Sequence, residues 1–162
     1  MSALAEESVW DYPRPPRLEP VEAVLAVDYA GQRLAETTAA TGPGLRVLET
    51  SHPPTYYLPP ASIAPGTLVP VNGRSFCEFK GMAQYFDVVL AGRTARRAAW
   101  CYPAPTAGFA ALTGYIALYA SAMEACWVGE TRVLAQEGDF YGGWITPNLR
   151  GPFKGAPGTR HW

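Results

Sequence analysis

The chain has 162 residues, a formal net charge of −1, 48% hydrophobic residues and only 17% charged ones. That length supports one domain with a core of its own, built without disulfide or metal staples. A near-neutral balance with a single local cluster of basic residues, Arg93, Arg96 and Arg97, weighs against sequence-independent nucleic-acid binding, which needs several cations on one face.

The opening segment, residues 1–8, is acidic and short, has no apolar h-region and is expected to form a flexible tail. Three cysteines, at 77, 101 and 126, stand alone with no Cys-x-x-Cys pair, so neither a zinc knuckle nor a redox dithiol is written here. No run approaches eighteen apolar residues, so no membrane-crossing helix is expected. A cytoplasmic protein is the reading that follows.

From residue 9 to 150 the pattern is that of a single β-rich domain. Val9-Trp10-Asp11-Tyr12-Pro13-Arg14-Pro15-Pro16 is a stiff block that holds rings beside prolines. Strands are expected at 22–29 and 32–37 around an Ala30-Gly31 turn, and at 45–50 and 55–58 around the His52-Pro53-Pro54 corner. Residues 60–63 form a single helical turn. Strands at 67–71 and 75–80 flank Asn72-Gly73, a dipeptide suited to a type I′ turn. Strands at 83–90 and 93–100 flank Ala91-Gly92, with Phe86, Val88 and Leu90 on one face and Tyr85, Asp87 and Val89 on the other. One short helix starts at Thr106, buries Phe109 and Leu112, and stops at Gly114. A strand at 115–119 and a third glycine hairpin at 125–135, turning at Gly129-Glu130, complete the set. Residues 151–162 form a Pro/Gly-rich tail packed on the domain. The sum is mostly antiparallel β, about eight to ten strands at ordinary strand lengths.

Few residues in this pattern can carry chemistry. On a regular strand Phe76, Glu78 and Lys80 point one way, while Cys77 and Phe79 point the other. Lys80 is a candidate anchor for an anionic or carbonyl group, with Glu78 tuning it. Cys77 is a candidate nucleophile or a small buried hydrophobe. His52, set in extended backbone by the following proline, is a candidate general base or a corner residue that orders its loop. Trp10, Tyr12, Tyr56, Tyr57, Trp100, Tyr102 and Trp144 all lie beside Pro or Gly elements. Of these, Tyr56, Trp100, Tyr102 and Trp144 are the expected walls of an aromatic cleft, with Lys80 at its edge. Phosphate loops, dinucleotide fingerprints and paired metal-binding carboxylates are missing, so neither cofactor nor metal is expected.

Several joined motifs resemble the bacterial and fungal family catalogued as domain of unknown function 427. They are Glu7-Ser8-Val9-Trp10-Asp11-Tyr12-Pro13-Arg14, Ser51-His52-Pro53-Pro54-Thr55-Tyr56-Tyr57, Ser75-Phe76-Cys77-Glu78-Phe79-Lys80-Gly81, Trp100-Cys101-Tyr102-Pro103, Phe140-Tyr141-Gly142-Gly143-Trp144 and Gly151-Pro152-Phe153-Lys154-Gly155. The resemblance implies a mainly β fold: two antiparallel sheets in a β-tent-like arrangement, with one or two short helices. Methionine sulfoxide reductase B and the thalidomide-binding domain of cereblon are similar in this sense. Many such relatives hold zinc between two Cys-x-x-Cys knuckles, which this chain lacks. The family is also labelled a nucleotidyltransferase, a label that the absent carboxylate pair does not support.

Three functions fit these residues. The first is a module binding a small planar or cationic molecule in an aromatic cleft. The second is a cofactor-independent enzyme on a small metabolite, using His52, Cys77, Glu78 or Lys80. The third is a structural or partner-binding domain whose rings are all core. The expected partner is a small molecule, with neither nucleic acid nor membrane.

Overall fold

In the computed structural model, residues 4–77, 79–138 and 140–162 are described. Two-residue turns with both central residues at positive φ organise the chain. Ala30 (φ 53°) and Gly31 (φ 74°) join Leu25–Tyr29 to Gln32–Glu36. Ala91 (φ 51°) and Gly92 (φ 77°) join Gly81–Leu90 to Arg93–Cys101. Turns of this hand match the right-handed twist of the strands they connect. Gly129-Glu130 joins Ala125–Val128 to Thr131–Arg132 in the third expected hairpin.

The fold is mainly β. Strands Leu68–Cys77, Gly81–Leu90, Arg93–Cys101 and Ala117–Leu118 form one four-stranded antiparallel sheet, here the site sheet. Leu25–Tyr29, Gln32–Glu36, Ala125–Val128 and Thr131–Arg132 form a second, the base sheet. Arg17–Val21, Gly44–Leu48 and Thr55–Tyr57 make a three-stranded side sheet. The described helices are short 3₁₀ segments, and the one expected after Thr106 is among them, at Ala107–Leu112.

Asn72-Gly73 does not turn the chain. A single strand, Leu68–Cys77, runs through it, and the register passes from Pro70↔Phe86 to Arg74↔Gln84. Three residues thus oppose the single residue Tyr85, a bulge that Gly73 accommodates at φ 96°. The dipeptide's tolerance of positive φ serves a bulge as readily as a hairpin. The reversal comes after Cys77 and is completed at Gly81 (φ 109°).

The site sheet separates two apolar clusters, and side-chain alternation assigns residues to each. Val88, Ala99, Cys101 and Leu118 join Leu25, Val27 and Trp144 in the main core. Ala83, Tyr85, Trp100, Tyr102 and Ala117 pack on the opposite face with Tyr57, Phe109 and Leu112.

The two ends of the chain are stitched together. Glu7–Ser8 pairs in parallel with Leu149–Arg150, so the expected division at residue 8 cuts through a strand pair. Arg46 holds that strand: it donates to both Glu7 oxygens at 3.0 and 2.8 Å and, through Nε, to Glu19 at 2.7 Å. The Trp10 indole donates to the Pro152 carbonyl at 2.8 Å and its ring meets Trp162 edge-on at 5.2 Å. Pro152 and Trp162 therefore lie against Trp10. Among the described residues no helix is long and apolar enough to cross a membrane.

Candidate functional site

Strand parity brings Ser75, Cys77, Tyr85, Trp100 and Tyr102 to one face of the site sheet, where they form a wall of a cleft of about 250 Å³. Tyr57 of the side sheet closes the floor, and Tyr119 lies against Trp100 with ring centroids 4.6 Å apart. The facing bank comes from three segments distant in sequence: the His52-Pro53 corner, Tyr141-Gly142, and Lys154. Burial raises the hydroxyl pKa of Tyr57, Tyr102 and Tyr119, so each stays a neutral phenol near neutral pH.

Two lysines reach this space. Lys80 sits in the reversal between Cys77 and Gly81, so it does not follow the alternation of a continued strand. It lines the same cleft as Cys77 and Phe79. Thr106 fixes the reversal, its backbone N–H donating to the Lys80 carbonyl at 3.0 Å and its hydroxyl to the Phe79 carbonyl at 2.5 Å. The Thr106 hydroxyl thus makes no cap to the following helix and holds the Phe79 carbonyl instead. The Lys80 ammonium stands 5.9 Å from the Tyr102 ring centroid and 6.0 Å from that of Phe109. The Lys154 ammonium stands 5.4 Å from the Tyr141 ring and donates to the Trp162 backbone oxygen at 3.2 Å. All three ammonium–ring separations fall within cation–π range.

His52 is half-buried with its ring edge-on to Tyr141 at 5.1 Å. Its Nε2 is 3.7 Å from a Glu49 oxygen, the geometry of an ion pair. The imidazole is nonetheless neutral at pH 7. Burial comes first, followed by the charges of Lys154, Arg14 and Lys80, and together they push its pKa down to about 4. Glu49 is also engaged by Arg14 at 3.5 Å. Cys77 is the cysteine on the cleft wall, and no hydrogen bond joins it to His52. Cys101 and Cys126 are core thiols whose pKa burial raises, that of Cys126 to about 12. No group of three His, Cys, Asp or Glu side chains suited to a metal ion occurs among the described residues.

The structure thus gathers His52, Cys77, Lys80, Trp100 and Tyr102 around one cavity. It does not bring Trp144 or Tyr56 there. Trp144 is fully buried, donates its indole N–H to the Leu118 carbonyl at 3.1 Å, and stacks on Tyr56 at 5.2 Å inside the main core. Tyr56 and Tyr57 are consecutive on one strand, so only one can face the cleft, and that one is Tyr57. Glu78 lies outside the described residues. Sequence reasoning missed Lys154, Tyr141, Tyr85 and Tyr119. The signal for the first was Gly151-Pro152-Phe153-Lys154-Gly155, one of the joined motifs, from which no site residue was drawn.

Gly142 explains why a glycine stands beside Tyr141. A Cβ there would overlap the six-membered ring of Trp100. Gly142→Ala is expected to displace that indole, shift the tryptophan emission maximum, and cost about 2 kcal/mol as an overpacking defect. Urea denaturation beside the emission spectrum of the native state measures both. Gly143 is as confined, with Gln136 Oε1 and the Pro53 carbonyl at 2.6 and 2.7 Å from its would-be Cβ.

No curated protein matches the chain. A family model described as Domain of unknown function (DUF427) matches residues 17–129. That span holds the strands of the site and side sheets and three of the four strands of the base sheet, whereas Thr131–Arg132, Tyr141, Gly142 and Lys154 lie beyond it. With well over half of its length matched, the chain belongs to the DUF427 family.

Proposed function

We propose that the protein binds a small flat molecule with an anionic or acceptor-rich edge in the aromatic cleft. The observation that carries this reading is the pair of lysines, Lys80 and Lys154, each set against a ring and both reaching a cavity walled by Trp100, Tyr57 and Tyr102. A cavity of about 250 Å³ falls just below the range of roughly 300–1,000 Å³ usual for drug-sized ligands, which suits one or two fused rings. Rings supply stacking area at low entropic cost. Among the described lining residues the charged side chains are Glu49, Lys80 and Lys154, and Glu49 already faces Arg14. A cationic ligand would meet two ammonium groups, so the charge supports an anion over a cation. Three free thiols fit a reducing, cytoplasmic setting.

The test is a titration followed by tryptophan fluorescence, with 2-naphthoate and phenyltrimethylammonium as probes. Naphthoate is expected to bind and the ammonium ion not. Lys80→Met should weaken naphthoate about tenfold, the scale of one charge-assisted contact. Equal binding of the two probes, or naphthoate affinity unchanged in both Lys80→Met and Trp100→Phe, would refute the reading.

The convergence of Cys77, His52 and Lys80 on the same cavity supports a second reading, an enzyme using the Cys77 thiolate as nucleophile. A neutral imidazole is the form that can accept a proton. On this reading iodoacetamide labels Cys77 at pH 7 faster than a free thiol, and His52→Gln slows it. Labelling at or below the free-thiol rate removes the nucleophilic role and leaves the binding role standing.

A further inference from the structure

Next to the cleft, across a partition made by Ser75, Tyr85, Tyr119 and Phe140, lies a more open recess. These four residues line both spaces, and the partition is held by a 2.8 Å hydrogen bond between the Ser75 and Tyr85 hydroxyls. Arg96 and Arg97 line the far side of the recess.

Two consecutive residues of a strand normally point to opposite faces. Here they share one recess because the strand is bulged. The register passes from Phe86↔Ala99 to Val88↔Ala95, so Arg96, Arg97 and Ala98 oppose Asp87 alone. Arg97 takes φ 49°, a left-handed conformation that is a true outlier for a bulky side chain. Its freed backbone N–H donates to Asp87 Oδ1 at 2.8 Å. Its guanidinium lies 4.1 Å from the Tyr85 ring centroid and, among the described residues, donates once, to the Asn72 carbonyl at 3.1 Å. Asn72 belongs to the other bulge, whose Gly73 leaves room that a Cβ would deny: it would stand 3.0 Å from the guanidinium. Two irregularities on neighbouring strands thus aim one arginine over the partition tyrosine, with four of its five N–H donors uncommitted to this carbonyl.

We infer that this recess is a subsite for a phosphate-class anion on a ligand whose flat part occupies the cleft. The inference rests on the proposed function for the ring, while the arginines carry the anion. Guanidinium groups present paired donors that match phosphate oxygens in a fork. A backbone outlier that positions such a group is strain placed where it orients a binding residue. The ligand class is a small aromatic or heteroaromatic phosphate ester, longer than the cleft and bent over Tyr85.

Three probes test this: inorganic phosphate, 2-naphthoate and 2-naphthyl phosphate. Binding is read by tryptophan fluorescence and by the Arg Nε–H resonances in ¹⁵N spectra. In the wild type, phosphate should move the Arg97 resonance, and naphthyl phosphate should bind at least tenfold more tightly than naphthoate. Arg97→Gly removes the side chain and also the left-handed penalty, so Tm should change by no more than about 5 °C while the phosphate advantage disappears. Arg96→Gln should reduce that advantage severalfold without touching the outlier. Naphthoate affinity should stay unchanged in both variants. If both variants keep the full preference for naphthyl phosphate, or if Lys80→Met rather than Arg97→Gly abolishes it, the subsite is overturned. If naphthoate fails to bind while phosphate still moves Arg97, the cleft reading fails and the anion site stands.

Discussion

Arg46→Ala is expected to lower the unfolding free energy by about 3 kcal/mol, the low end for breaking a buried charge pair. Arg46 is 16% exposed, and its guanidinium serves two carboxylates at once, both oxygens of Glu7 and one of Glu19. The Tyr12 hydroxyl donates to Glu7 at 2.6 Å, so the cluster also fixes a buried ring. Removing the cation leaves two carboxylates facing each other in a partly desolvated space, with Tyr12 tied to one of them. The effect reaches the chain ends, because Glu7–Ser8 is the strand that pairs with Leu149–Arg150. For a chain of this size the loss corresponds to a fall in Tm of roughly 10 °C. Arg33 is the control. It also faces two carboxylates, Asp28 and Glu36, but is 48% exposed. Its replacement by alanine should cost no more than about 1 kcal/mol, because water and salt screen the pair. Similar losses from the two variants in paired urea denaturation curves would refute the buried-cluster account.

The contrast between these arginines could not be read in the sequence, whereas the hairpins could. Ala30-Gly31 and Ala91-Gly92 declare themselves locally: a small residue before glycine, flanked by alternating apolar residues, fits a two-residue turn and little else. Phe109 and Leu112 are likewise buried where helical spacing places them. What failed was parity and distance. Tyr56 and Tyr57 are equivalent by pattern, and only docking of the side sheet on the rest of the fold decides which one meets the cleft. Lys80 was read on an unbroken strand, and the true reversal after Cys77 put it beside the residues it was expected to oppose. Asn72-Gly73 gave a correct statement about φ at Gly73 alone and an incorrect one about topology.

The candidate site was legible in part for the same reason. Of its rings, Tyr57, Trp100 and Tyr102 announce themselves in blocks that hold proline, whereas Tyr85 and Tyr119 have neither proline nor glycine beside them. Trp144 carries the same local signature and is core, since nothing local records which apolar cluster a ring will join. Lys154 reaches the cleft only because the tail returns: its backbone N–H donates to the Ser51 carbonyl at 2.8 Å and its carbonyl accepts from Gln136 at 2.7 Å. A contact across some hundred residues leaves no periodic trace. The charge state of His52 depends on that return as well.

That dependence leads to an acid-sensitive stability. His52 has a folded-state pKa of about 4 against an ordinary value of 6.5. Between those limits the unfolded chain binds more protons than the folded one, so stability rises with pH there and falls on acidification. Its contribution is complete above pH 6.5 and is lost as the pH drops towards 4. The whole shift corresponds to about 3 kcal/mol, of which about 2 kcal/mol is gone by pH 5. Glu7, whose pKa is also lowered, acts below its ordinary 4.5, so the window from pH 7 to 5 belongs chiefly to His52. His52→Gln keeps a polar side chain without the titration and should flatten the dependence of unfolding free energy on pH across that window. Burial opposes protonation of the imidazole first, the charges of Lys154, Arg14 and Lys80 add to it, and the Glu49 carboxylate at 3.7 Å favours it. An anion seated against the two lysines would neutralise part of that opposition and raise the His52 pKa. Saturating 2-naphthoate should therefore reduce the acid loss in the wild type and leave the His52→Gln profile unchanged. A His52→Gln profile as steep as the wild type between pH 7 and 5 would show that the imidazole is not held neutral by burial and this cluster of cations.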